Sequence, residues 1–194
     1  MHWEHEGRAI TDCLKAHYPL GMDLLNRVMD LAVARGVGMT EAGRHADGLR
    51  ALALEILGHE LDEAQDIHTV LIEAADCSSP DVQIAALRGL GLVRVLWPDI
   101  RDVMFKQLNE GTLAVRCAAG IALGRLMHTL PDPPLNAEEI NGLAERLAAL
   151  LREITPRAAW EAEAQTQNDL LRALNQVMAR GRPSPPRLPA RADD

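Results

Sequence analysis

Seven histidines, three cysteines and a set of regularly spaced charges are the side chains of this 194-residue chain that have chemistry to offer. His2 and His5 lie three residues apart, so on one helical turn they would face a single metal ion, with Glu4 or Glu6 beside them. A frayed chain terminus is the simpler reading of the same residues. His59 is followed by Glu60 but by no second histidine at the fourth position, so the zinc-protease pattern is missing. His59 and His68 read as surface residues. Cys13, Cys77 and Cys117 are odd in number and widely spaced, which fits a reducing compartment and not a disulfide framework. Cys117 stands next to Ala118 and Ala119 with no neighbouring histidine, the setting of a packed and inert thiol. No catalytic, cofactor-binding or metal-binding residue is assigned.

The patterned polar feature is different in kind. Asp66, Thr69, Glu73 and Asp76 fall at i, i+3, i+7 and i+10, and Asp99, Asp102, Lys106 and Asn109 repeat that spacing further along. Glu139, Gly142 and Arg146 continue it. Each group occupies one face of a helix, and together they form a ladder that begins acidic and becomes mixed, with Arg101 beside it. Such a ladder is either a solvated face or a surface that holds a protein segment. Trp97 precedes Pro98 in a turn of a chain that is only 3% aromatic. It either locks two helices together or, exposed, anchors an interface. The candidate partner-binding residues are therefore Trp97, Arg101, Asp102, Lys106, Glu139 and Arg146.

Helices must position that ladder, and their pattern repeats. Leu49, Ala53, Leu57 and Gly58 recur 33 residues later as Val82, Ala86, Leu90 and Gly91, and again as Val115, Ala119, Leu123 and Gly124. A fixed period of this length marks stacked helical units, each burying its apolar face only against its neighbours. The repeated face follows i, i+3, i+4, i+7 and i+8, with alanine or glycine at its centre, which predicts close helix stacking. Second helices align as well: Ile67, Val70 and Leu71 match Ile100, Val103 and Met104, then Ile140, Leu143 and Ala144. The last interval grows to 40 residues because Pro131 to Leu135 lengthens a turn. Breaks at Pro19, Gly36 to Gly38, Ser78 to Pro80, Trp97 to Pro98, Gly111 and Leu130 to Pro134 outline roughly nine helices. Pro80 suits a first helical turn with Ser78 or Ser79 as its cap, and Asn136 with Glu139 forms a capping box.

The formal charge of −8 and the near absence of Phe and Tyr weaken any general attraction to nucleic acid. No run of about 18 apolar residues and no apolar leader occurs, so a cytoplasmic protein without a membrane segment is expected. Residues 1–39 read as capping helices or a degenerate repeat, 40–156 as three repeats, 157–181 as a capping helix, and the arginine- and proline-rich 182–194 as a disordered tail.

The stretch Leu113-Ala-Val-Arg-Cys-Ala-Ala-Gly-Ile-Ala-Leu-Gly-Arg-Leu126 resembles the first helix of a HEAT-type repeat, and Asp81 to Gly91 carries a diverged copy. The signatures of ankyrin and tetratricopeptide repeats do not occur. The resemblance implies an all-α, right-handed α-solenoid of about three helix pairs, armadillo-like in architecture, with a concave surface lined by second helices. It further implies a non-catalytic scaffold that binds a protein partner. Bilin lyases and DNA alkylation-repair glycosylases of similar architecture give an enzymatic alternative, and condensin-type subunits suggest a piece of a larger assembly.

Overall fold

A computed structural model describes residues 22–33, 41–58, 65–94, 96–130, 135–155 and 161–181. The proposed histidine pair, Cys13, His59, Trp160, the Pro131–Pro134 bend and the 182–194 tail lie outside them. Within the described residues the chain is all-α: eight helices and no strand. They are α1 (Met22–Val33), α2 (Glu41–Leu57), α3 (Gln65–Ala75), α4 (Pro80–Leu90), α5 (Pro98–Glu110), α6 (Leu113–Thr129), α7 (Ala137–Ile154) and α8 (Glu161–Arg180).

Local sequence explains where several of them begin. Pro80 and Pro98 open α4 and α5 at a position whose N–H has no helical partner. Thr112 accepts the Val115 N–H ahead of α6. Asn136 accepts from the Glu139 N–H at 3.0 Å while the Glu139 carboxylate accepts the Asn136 N–H at 2.9 Å, so the expected capping box is formed at α7. Ser79 does occupy the cap position of α4, but its side chain makes no capping bond.

The helices pack as two rows. α2, α4, α6 and α8 contact one another in succession, and α1, α3, α5 and α7 lie alongside, each bearing on the next member of the first row. α6 is the most enclosed helix, contacted by α4, α5, α7 and α8. Its sequence is correspondingly apolar on nearly every side, with Val115, Cys117, Ala119, Leu123 and Leu126 all buried.

Small residues set the spacing of the first row. A β-carbon on Gly58 would lie 2.5 Å from the Cα of Gly89, and one on Gly91 would lie 3.0 Å from the Ala122 methyl. One on Gly124 would overlap the methyl and Cα of Ala173. The glycine of each helix thus meets the small residue of the next, and Ala173 makes α8 a further member of the same row. Leucines and valines on either side of these contacts fill the remaining space: Leu54, Leu57, Leu87, Leu90, Leu123 and Val177 are almost wholly excluded from water. Leu49 departs from the repeat. Its counterparts Val82 and Val115 are buried, whereas Leu49 is 56% exposed. α4 and α6 have a full described unit before them; α2 has only α1.

Candidate functional site

Of the ladder, Thr69, Glu73, Asp76, Asp99, Asp102, Lys106, Asn109 and Arg146 are exposed and Arg101, Glu139 and Gly142 are half-buried, and neighbouring helices tie several of them together. Lys106 Nζ on α5 donates to Asp76 Oδ1, just beyond α3, at 2.6 Å. Gln107 Nε2 donates to the same oxygen at 3.2 Å, and Gln83 Nε2 from α4 reaches Gln107 Oε1 at 3.5 Å. Asp76 therefore ties the end of α3 to α5, and Gln107 carries the connection on to α4. Its hydrogen bond raises the Lys106 ammonium pKa above its ordinary value, with the Asp76 and Glu110 charges adding to that and partial desolvation opposing it. Lys106 is consequently a paired cation at every physiological pH.

The next step of the ladder links α5 to α7. Arg101 Nη1 lies 3.5 Å from Glu139 Oε1, while Arg101 Nε and Nη2 each lie 3.3 Å from Asp102 Oδ1. Glu139 serves twice, because its other oxygen closes the capping box of α7. Further along the same two helices, the Arg146 guanidinium stands 5.7 Å from the centre of the Phe105 ring, within cation–π range. Phe105 is the only phenylalanine of the chain, and nothing in its neighbouring residues signals that it meets an arginine.

Trp97 stands at the start of α5 and is 37% exposed. Its ring packs edge-on against His68 of α3, with centroids 4.1 Å apart and planes at 77°. His68 is only 8% exposed, which corrects the expectation of a surface histidine. The reason is positional: α3 turns His68 toward the entry of α5, where the indole covers it. Trp97 thus packs α3 against α5 and leaves about a third of its surface open to solvent.

Taken together, Trp97, Arg101, Asp102, Lys106, Glu139 and Arg146 fall along α5 and the first three turns of α7. Arg101, Lys106 and Glu139 spend much of their charge within the fold, and Asp102 is the most open of the ion-paired side chains of the ladder, at 70%. The face is mainly acidic: Glu73, Asp76, Asp99, Asp102, Glu110 and Glu139 outnumber Arg101, Lys106 and Arg146. Sequence reasoning missed Gln107, a polar side chain buried to 5% exposure that braces Asp76 from behind. Its place at i+7 from Ile100 and i+4 from Val103, on the apolar stripe of α5, was the available signal.

Elsewhere the thiol of Cys117 is buried and pushed up to about 11, chiefly by desolvation. That is the inert setting expected of it. Among the described residues no three His, Cys, Asp or Glu side chains converge on a common point suited to a metal ion, and no helix is long and apolar enough to cross a membrane. Compared with known proteins, the chain matches no family model, no curated protein and no solved structure.

Proposed function

We propose that the chain is a short, right-handed α-solenoid of HEAT-like helix pairs, and that it works as a non-catalytic scaffold. Its partner is a protein segment, held on the face formed by α3, α5 and α7. The observation that carries this reading is the set of ties between successive helices: Asp76 to Lys106, Arg101 to Glu139, and Phe105 to Arg146. They fix the spacing of the ladder before anything binds, so a partner does not have to order the surface that receives it. Trp97 offers an aromatic anchor at one edge, supported from behind by His68. The acidic balance favours a segment rich in lysine or arginine.

Charge reversal at the exposed acids is the sharpest test, since Lys106 and Arg101 are already engaged within the fold. Partners captured from a lysate by the wild-type chain would be identified and their affinities measured against an Asp99→Lys, Asp102→Lys variant and against Trp97→Ala. The expected result is a loss of roughly tenfold or more with each, steepening at low salt for the charge variant. Unchanged affinity in both variants, with the helical circular dichroism intact, would remove the face from the binding role.

A further inference from the structure

The two ends of the first row are not alike. At α8, position 175 is where the repeat elsewhere has glycine: Gly91 lies two residues after Gly89 and Gly124 two after Ala122, and Asn175 stands two after Ala173. The asparagine side chain blocks the close approach that Gly58, Gly91 and Gly124 permit. Asn168 and Arg172, exposed like Asn175, make the same side of α8 polar.

At α2 the row ends on an apolar face. Gly89 of α4 meets Gly58 beside α2, and Ala122 of α6 meets Gly91 beside α4. The residues in line with them are buried: Val82, Ala85 and Ala86 on α4, then Val115, Ala118 and Ala119 on α6. The matching positions of α2 are Leu49, Leu52, Ala53 and Ile56. Among the described residues no first-row helix precedes α2, and this face opens toward its start. Ile56 and Ala53 are buried, Leu52 is half-buried and Leu49 is exposed. Arg50 Nε donates to the Ala32 carbonyl at 2.7 Å, which sets the open turn of Leu49 beside the end of α1, where Val33 is also exposed. Leu24 and Leu31, exposed as well, share one flank of α1.

We propose that residues 8–18 cover this end of the array as one further helix of the first row, lying against α2 with Ile10 over Leu49. Chain order argues for this occupant. α3, α5 and α7 each follow directly on a first-row helix, and α1 follows on residues 1–21. Within them Ile10, Cys13, Leu14, His17 and Tyr18 fall at i, i+3, i+4, i+7 and i+8, the spacing of the first-row face, with Arg8, Asp12 and Lys15 on the opposite side. Pro19, Leu20 and Gly21 then make a connection of ordinary length to α1. The register follows from the row. Gly58 and Gly89 meet at the C-terminal ends of their helices, so first-row neighbours run in one direction. His17 level with Ile56 therefore sets Leu14 level with Ala53 and Ile10 level with Leu49, the most open position. Ile56 stands where later units have glycine or alanine, so the added helix packs at the ordinary separation of about 8–10 Å and not in glycine contact. A helix this short is marginal in water by itself, so the face that it covers is also what holds it. Nothing in this docking depends on the binding role proposed for the α3–α5–α7 face.

Cross-linking in the full chain tests it. In a background of Cys13→Ser and Cys77→Ser, Ile10→Cys with Leu49→Cys should be joined within one chain by a short bis-maleimide, whereas Asp12→Cys with Leu49→Cys should not. A thermal double-mutant cycle gives a second readout. Ile10→Ala and Leu49→Ala should each lower the melting temperature by about 2–6 °C, and the double variant by less than the two together. Asp12→Ala should leave it within about 2 °C. Should an alanine variant lose its helical signal, Ile10→Val and Leu49→Val take the place of that pair. Absence of the Ile10–Leu49 link, or equal yields from the two cysteine pairs, overturns the docking. A link formed only between two chains overturns it too, because a second copy would then be the cover. Strict additivity in the cycle overturns the register.

Discussion

Burial raises the Cys117 thiol from its usual 9.0 to about 11; the Arg116 charge pulls it down by less, and Glu153 adds a smaller upward push. The folded chain thus keeps a proton that the unfolded chain releases, and stability falls as pH rises through the window from about 9 to 11. Thermal melts at neutral pH and at about pH 10 should show a smaller alkaline loss for Cys117→Ala than for the wild type. A thiol reagent at neutral pH should modify half-buried Cys77 well before Cys117. An equal rate at the two sites would contradict the packing of α6. At this scale the sequence disclosed what adjacent residues decide: the Asn136 capping box and the small-residue setting of Cys117. It hid what depends on a distant neighbour. Nothing beside His68 announces Trp97, which lies 29 positions away and reaches it only because α3 and α5 are stacked.

Two glycines separate helix propensity from helix packing. Gly142 has nothing within 4 Å of where a β-carbon would stand, whereas Gly124 presses on Ala173. Gly142→Ala should therefore stabilise the fold by about 0.5–1 kcal/mol through propensity. The same change at Gly124 should cost about 1–3 kcal/mol, because α6 and α8 must move apart. Denaturant melts of the two variants decide the matter; a similar shift in both would mean that the first row is not held at glycine contacts. Asp76 poses a parallel comparison. Asp76→Ala leaves the buried Gln107 amide without its acceptor and should cost about 1–3 kcal/mol. Lys106→Ala removes only an exposed, solvent-screened ion pair and should cost clearly less than Asp76→Ala. The 33-residue period was legible because stacking imposes the same small residues on every unit. The ties between second helices were not, since a period states which faces align but not how far apart they stand. Leu49 shows the same limit, as its repeat position promised burial that the start of the row does not provide.

Across the whole molecule, the described helices differ sharply in how much surrounds them. α1 and α8, the first and last of the described helices, carry exposed Leu24, Leu31, Val33, Leu171 and Met178, while α6 is covered on four sides. The two-row arrangement followed from the sequence pattern, but the use of α8 as a full member of the first row did not. Its glycine position holds asparagine, and the 40-residue interval before it conceals the register. The enclosure of α6 has a consequence in time as well as in space. Opening α1 or α8 breaks two interfaces, but freeing the amides of α6 requires separating four, so its protons should exchange only through nearly global unfolding. Hydrogen–deuterium exchange should rank the amides accordingly, slowest in α6 and its partners α4 and α7, and fastest in α1. Uniform protection along the array would mean that the chain opens as a single unit. A graded profile would instead make α6 the clock by which the turnover of this protein is set, because a protease that waits for its central segment must wait for the rarest of its fluctuations.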